Sequence, residues 1–75
     1  MITRQIKLNA TEDVQEFVNE AAKCSFDIDI SYNRIIIDAK SLLGILSMDL
    51  TRELTVRCYG ESQKFNKVVD KFAVA

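Results

Sequence analysis

The sequence predicts a single α+β domain, a two-layer open-faced sandwich in which helices cover one face of an antiparallel sheet. Two periodicities alternate along its 75 residues. Apolar residues recur at every second position in some segments and at helical spacing in others, in the order βαββαβα. A strand with apolar residues on just one of its two sides belongs to a sheet that has one face in water. Such a sheet favours antiparallel pairing.

Length and composition limit the chain to one domain, residues 1–75, with 48% hydrophobic residues, 28% charged residues and no proline. These values are typical of an ordinary folded domain. The formal net charge of −1 argues against a nucleic-acid partner, which requires a clustered basic surface. The longest apolar run is too short to span a bilayer, so no membrane partner is expected. The N-terminal residues lack the features of a signal peptide, so we expect a cytoplasmic location with reduced cysteines.

The first strand is predicted where Ile2, Ile6 and Leu8 stand among polar residues. A turn at Asn9 and Ala10 leads to a helix with Thr11 as its N-cap and two acidic residues in its first turn. The apolar stripe of this helix comprises Val14, Phe17, Val18, Ala21 and Ala22.

A hairpin is predicted next, because Phe26, Ile28 and Ile30 alternate with polar residues and the β-branched segment 35–39 follows a turn at residues 32–34. A short helix then runs from Ser41 to near Met48.

The fourth strand contains apolar residues at alternate positions, namely Leu54, Val56 and Cys58, and Gly60 ends it. Ser62 caps the last helix. Its apolar stripe comprises Phe65, Val68, Val69 and Phe72, and its basic outer face comprises Lys64, Lys67 and Lys71.

The segment 40–48, Lys-Ser-Leu-Leu-Gly-Ile-Leu-Ser-Met, resembles the regulatory-serine helix of the HPr family, the small phosphocarriers of the bacterial sugar phosphotransferase system. Residues 17–21, Phe-Val-Asn-Glu-Ala, are similar to the family's Phe-Val-Lys-Glu-Ala in the first helix. The element order is also that of the HPr fold. The resemblance therefore implies a four-stranded antiparallel sheet in the order 1-4-2-3.

The histidine that carries phosphate in this family lies in a loop resembling Gly-Leu-His-Thr-Arg-Pro, between the first strand and the first helix. Counting back from Phe17 places Ala10, Thr11 and Glu12 over the His-Thr-Arg stretch, and the chain contains no histidine. Alanine offers no nucleophilic nitrogen, and Glu12 replaces a cation with an anion. The resemblance therefore implies a divergent HPr-like protein with a degenerate phosphohistidine loop, similar to the catabolite-repression paralogue, which also lacks the histidine.

Ser41 occupies the position of the regulatory serine, which an ATP-dependent kinase phosphorylates in Gram-positive relatives. We expect phosphorylation of Ser41, although a serine at a helix start also acts simply as an N-cap. An added phosphate would lie at the positive end of the helix dipole.

Apolar residues lie nearly all round the short helix, so some of them should be exposed. We place Leu43, Leu46 and Leu50 in the core. The predicted docking surface for a protein partner comprises Leu42, Ile45, Ser47 and Met48. The alternative is that the small domain buries nearly all of these side chains, and the sequence favours neither arrangement.

No pattern in the sequence indicates an enzyme, a metal site or a cofactor. Asp27 and Asp29 share the solvent face of a strand, and Cys24 and Cys58 are too far apart for metal-ligand spacing, so both are expected to be packing thiols. The resemblance implies a protein partner: an HPr-kinase-like enzyme, a transcriptional regulator or a phosphotransferase-system enzyme. We expect a monomer or weak dimer. The alternatives are a phosphate-independent binding module on the HPr fold and a small-molecule-binding domain of ferredoxin-like layout.

Overall fold

The computed structural model describes residues 1–74 and confirms the predicted order βαββαβα. The strands are β1 (Ile2–Ile6), β2 (Ile28–Tyr32), β3 (Ile35–Asp38) and β4 (Leu54–Cys58). The helices are α1 (Thr11–Ala22), α2 (Leu42–Leu46) and α3 (Gln63–Phe72). None of the helices within residues 1–74 is long and apolar enough to cross a membrane.

The four strands form one antiparallel sheet in the order β1-β4-β2-β3, which confirms the order that the family resemblance implies. The register places Ile6 opposite Leu54, and Val56 opposite Ile30, on the face that the helices cover. Because side chains alternate along a strand, the neighbouring residues point to the open face. The predicted two-layer arrangement is therefore confirmed.

The core lies between the sheet and the helices and is centred on two aromatic rings. Phe17 of α1 and Phe65 of α3 are fully buried, and their ring centroids are 5.4 Å apart at an angle of 54°. The predicted stripe of α3 is buried throughout. On α1, however, Ala22 is exposed, which corrects one prediction, and Cys24 enters the core beyond the end of the helix.

The start of α1 differs from its prediction, because Ala10 and not Thr11 is the N-cap. An alanine side chain cannot accept a hydrogen bond from the first helical N–H groups, so α1 has no side-chain cap at Ala10. The carboxylate of Asp13 in the first turn binds N–H groups that precede the helix. Its Oδ2 accepts hydrogen bonds from the backbone N–H groups of Asn9 at 3.0 Å and Ala10 at 3.2 Å. The other predicted caps are confirmed: Ser41 Oγ accepts from Gly44 N at 3.1 Å and Ser62 Oγ accepts from Phe65 N at 3.2 Å.

The two edges of the sheet differ. At the β1 edge, Val74 N–H donates to the carbonyl of Gln5 at 3.2 Å and Ala73 bridges Ile6, so the end of the described chain covers the last two residues of this edge strand. The other edge is β3, which pairs only with β2 among residues 1–74. The hairpin that joins β2 and β3 turns at Asn33, whose φ of 55° lies in the left-handed region that asparagine tolerates.

The buried aromatic pair predicts a specific loss of stability. Replacing Phe17 with leucine removes ring volume from a fully buried site and should lower the free energy of unfolding by about 1 to 2 kcal/mol. Urea denaturation measures this change. Phe26→Leu is the matched control, because Phe26 is only half-buried and its replacement should cost less; an equal or larger loss for the control would contradict the assignment.

Candidate functional site

The loop between β1 and α1 has no histidine nitrogen to carry phosphate. Ala10, at the position that counting back from Phe17 gives to the family's histidine, is exposed and ends in a methyl group. Glu12 is exposed at the first turn of α1, and the Asp13 carboxylate occupies the N–H groups of Asn9 and Ala10. Two carboxylates therefore stand at the positive end of α1, where they oppose a second anion. The loop therefore lacks the imidazole and the arginine that the family resemblance places at these positions.

Ser41 lies at the N-terminus of α2 and is held on both sides. Its Oγ accepts from Gly44 N, and its own N–H donates to the carbonyl of Asp38 at 2.9 Å. The Asp38 carboxylate accepts from Lys40 N at 2.9 Å, and Lys40 Nζ donates to the carbonyl of Cys24 at 3.0 Å. The tight turn from β3 into α2 thus presents a half-buried serine hydroxyl at a fixed position.

Gly44 allows α2 to lie close to β3. A Cβ atom at this position would approach Ile37 Cγ2 to 2.7 Å and Ser41 Oγ to 2.9 Å. Both distances are shorter than ordinary van der Waals contact, so any side chain here would push α2 away from β3 or displace the serine cap. The close packing of α2 against β3 therefore explains why residue 44, within the segment 40–48, is a glycine.

The exposed side of α2 is the opposite of the predicted one. Ile45 is fully buried and Met48 is 7% exposed, whereas Leu43 is 81% and Leu46 is 39% exposed. The expectation that Leu43 and Leu46 belong to the core is wrong, and Ile45 and Met48 are not available to a partner. Burial of positions 45 and 48 follows from Gly44 facing β3, which turns positions 43 and 46 to solvent. Of the other predicted docking residues, Ser47 is exposed and Leu42 is half-buried against the core.

A shallow depression of about 200 Å³ lies between the segment that precedes α1 and the segment that follows α2. Lys7, Leu8 and Asn9 line it before α1, and Leu50 and Thr51 line it after α2. Sequence reasoning missed this junction: Leu50, which it placed in the core, is half-buried against the core and also lines the depression, and it assigned no role to Thr51. The depression brings the degenerate loop next to the segment that follows the serine helix.

Asp49 holds Thr51, one of the residues that line this depression, in place. Its Oδ1 accepts hydrogen bonds from the hydroxyl and the backbone N–H of Thr51, and Arg52 lies 3.6 Å from Oδ2. The Thr51 hydrogen bonds, followed by the Arg52 charge, hold the pKa of the Asp49 carboxyl below its ordinary value. This carboxylate is therefore engaged within its own turn.

The remaining candidate groups lie elsewhere in the domain. Cys24 and Cys58 are buried free thiols, and no group of three or more metal-ligating side chains occurs within the described residues 1–74. Asp29, on the open sheet face, accepts from the Tyr59 hydroxyl at 3.1 Å, and this hydrogen bond raises the pKa of Tyr59. Arg57 is 4.0 Å from the other oxygen of Asp29.

Comparison with known proteins defines the class to which this fold and site belong. The family model described as "PTS HPr component phosphorylation site" matches residues 10–74. The chain therefore belongs to the HPr family of the phosphotransferase system, whose members are phosphocarrier proteins and not enzymes.

Individual relatives agree with this assignment. The phosphocarrier protein HPr of Buchnera aphidicola subsp. Schizaphis graminum is 32% identical over 75 positions, which cover 93% of this chain and 88% of that protein. Among solved structures, an HPr from Bacillus anthracis superimposes with a TM-score of 0.71 at 20% identity, covering 95% of each chain. HPr-C-His from Thermoanaerobacter tengcongensis also gives 0.71, at 25% identity, with 93% of this chain and 85% of that chain covered.

The Bacillus subtilis catabolite repression protein Crh has the same fold. It superimposes with a TM-score of 0.65 at 22% identity, and 95% of this chain and 88% of Crh are covered. The Crh structure is described as an intertwined dimer with a swapped domain. At this level of identity the likeness establishes the fold that the two chains share.

The serine cap predicts a measurable loss of stability. Ser41→Ala removes the acceptor for Gly44 N–H and should lower the free energy of unfolding by about 1 kcal/mol. Ser47→Ala is the matched control, because Ser47 is exposed at the other end of α2 and its Oγ donates to the carbonyl of Gly44. The control should change stability by less than about 0.5 kcal/mol in chemical denaturation. Equal losses in the two variants would show that Ser41 has no special capping role.

The buried thiol of Cys58 predicts a loss of stability in alkali. Burial, followed by the neighbouring Cys24 and Asp29, raises the pKa of Cys58 above its ordinary value of 9.0. The unfolded chain releases this proton first, so the contribution is complete below pH 9.0 and is lost as the pH rises through the folded pKa. From about pH 9 upward the unfolding free energy should fall more steeply for wild type than for Cys58→Ala. Parallel pH profiles would contradict this assignment.

Proposed function

We propose that this chain is a protein-interaction module of the HPr family that has lost phosphocarrier chemistry and is regulated at Ser41. The observation that carries the proposal is the contrast between its two key positions. Ala10 has no nucleophile and stands beside Glu12 and Asp13, whereas Ser41 keeps a hydroxyl at the start of the serine helix.

The proposed docking surface comprises Leu43, Leu46 and Ser47, with Leu42 at its margin. An exposure of 81% for Leu43 leaves a large apolar side chain in water, and such side chains on one helix face suit a protein partner. Ile45 and Met48 have no part in this surface, because the core holds them. The depression beside Leu50 and Thr51 extends it toward the β1–α1 loop.

Phosphorylation of Ser41 would change the charge beside this surface. A phosphoserine carries about −1.5 to −2 charges at neutral pH. Ser41 is two residues from Leu43, so the added charge would border the apolar side chains that contact the partner. Backbone N–H groups in the first turn of α2 and the Lys40 cation, once freed from Cys24, would offset its charge. Modification would therefore alter partner choice without refolding the domain.

Partners consistent with this chemistry are those of the family: an HPr-kinase-like enzyme, a transcriptional regulator or a phosphotransferase-system enzyme, all acting in the cytoplasm. The family membership and the conserved layout of the fold support this set. No cofactor enters the proposal.

A second candidate is a phosphate-independent binding module on the same fold. One observation favours it: Ser41 Oγ already accepts the hydrogen bond of Gly44 N–H, which accounts for the serine without modification. In this case the proposed docking surface would bind the partner without any phosphate on Ser41.

Phosphorylation by an HPr serine kinase with ATP separates the two candidates. We expect a single phosphate on Ser41 in wild type, located by mass spectrometry of peptides. Ser41→Ala should remain unmodified, whereas Ser47→Ala, which keeps the serine cap, should be modified as wild type is.

Two results would contradict regulation at Ser41. One is an unmodified wild-type chain under conditions in which the kinase modifies a complete HPr. The other is phosphate that persists in Ser41→Ala and therefore resides on a different side chain.

A further inference from the structure

The exposed edge of the sheet carries more apolar surface than an edge strand normally shows to water. Ile35 is 52% exposed and Ile36 is 60% exposed on β3. Edge strands are usually protected by proline, lysine, a bulge or a covering segment. The β1 edge has such a cover in residues 73–74, whereas β3 contains neither proline nor lysine.

The hydrogen-bonding groups at this edge follow from the pairing with β2. Ala39 N–H donates to the carbonyl of Ile28 at 2.9 Å. Because backbone groups alternate in direction along an antiparallel strand, Ile35 and Ile37 also bond to β2, and Ile36 and Asp38 direct their N–H groups outward. Ile36 thus offers both an N–H and a C=O to another strand.

We propose that β3 pairs antiparallel with β3 of a second copy of this chain, with a two-fold axis at Ile36. In this register Ile36 lies opposite Ile36 of the second copy, and its outward N–H and C=O groups are exchanged in a reciprocal pair. Two positions away on either side, Arg34 lies opposite Asp38 of the second copy. The pairing extends the four-stranded sheet to eight strands.

Charge complementarity selects the second copy and this register. Arg34 and Asp38 are both exposed, and Arg34 forms no ion pair within the described residues 1–74. Asp38 uses Oδ1 for Lys40 N, which leaves Oδ2 for a cation. A two-fold axis creates two Arg34–Asp38 pairs beside the central isoleucines, and such cross-strand pairs are stabilising. A shift of two residues in either direction would place Ile36 opposite a charge.

The interface is small, because it is built on the four residues of β3 and the adjacent turn. Contacts of this size are weak, so we expect a dissociation constant on the order of 10⁻⁵ to 10⁻³ M. The dimer is independent of the regulation proposed for Ser41, which lies outside the paired strands.

Sedimentation equilibrium of the full chain, over about 10 µM to 1 mM, tests the pairing. The average mass of wild type should rise from monomer toward dimer. Ile36→Lys places two like charges at the axis and should raise the dissociation constant about ten-fold or more. Gln5→Lys is the control: it makes the same change in charge on the open face of the opposite edge strand, and it should leave the dissociation constant unchanged.

Charge reversal tests the register. Arg34→Glu and Asp38→Lys should each weaken the dimer, and the double variant should restore it, because the opposite charges then face each other in exchanged positions. Loss of the Asp38 hydrogen bond to Lys40 would persist in the double variant, so restoration separates pairing from local structure. Amide spectra establish that each variant is folded.

Three results would overturn the proposal. These are a monomer at all concentrations, a dimer that Ile36→Lys leaves intact, and a double variant that remains as weak as the single ones. The second would indicate assembly through another surface, such as an exchanged segment.

Discussion

The close contact between Gly44 and β3 determines how α2 lies on the domain and which of its sides faces solvent. Without a side chain at this position, α2 lies against Ile37 and the Ser41 hydroxyl reaches Gly44 N–H. The same contact directs Ile45 and Met48 into the core and Leu43 and Leu46 into solvent. The cap, the buried side and the exposed side of α2 therefore all depend on the absence of a side chain at Gly44.

The fold tolerates the loss of the family's histidine because its stability rests elsewhere. The core comes from the apolar stripes of α1 and α3, from the helix-facing rows of the sheet and from Ile45 and Met48. The start of α1 has no capping side chain at Ala10, and the Asp13 carboxylate binds the N–H groups of Asn9 and Ala10. That carboxylate fixes the approach to the helix and places a negative charge beside the loop, which opposes a further anion there, since like charges repel.

Periodicity predicted the elements that have one clear apolar side. The stripe of α3 and the alternation in β4 led directly to their buried residues. The α2 segment is apolar on nearly every side, so its pattern could not indicate which face is buried, and the choice between Leu43 and Ile45 depended on packing against β3. The cap at Ala10 was missed because alanine carries no capping signal, and Asp13, which binds the Ala10 N–H group, lies three residues away. Family resemblance, not periodicity, supplied the strand order and hence the exposed position of β3.

Chemical-shift mapping tests most directly the proposal that the exposed side of α2, with Leu43, Leu46 and Ser47, binds a protein partner. A ¹⁵N-labelled chain titrated with a purified phosphotransferase enzyme should show saturable amide shifts centred on Leu43, Leu46 and Ser47, and Leu43→Lys should abolish them while remaining folded. Gln15→Lys, on an exposed position of α1, should bind as wild type does. Saturable shifts that leave Leu43 and Leu46 undisturbed, or binding that survives Leu43→Lys, would contradict the account.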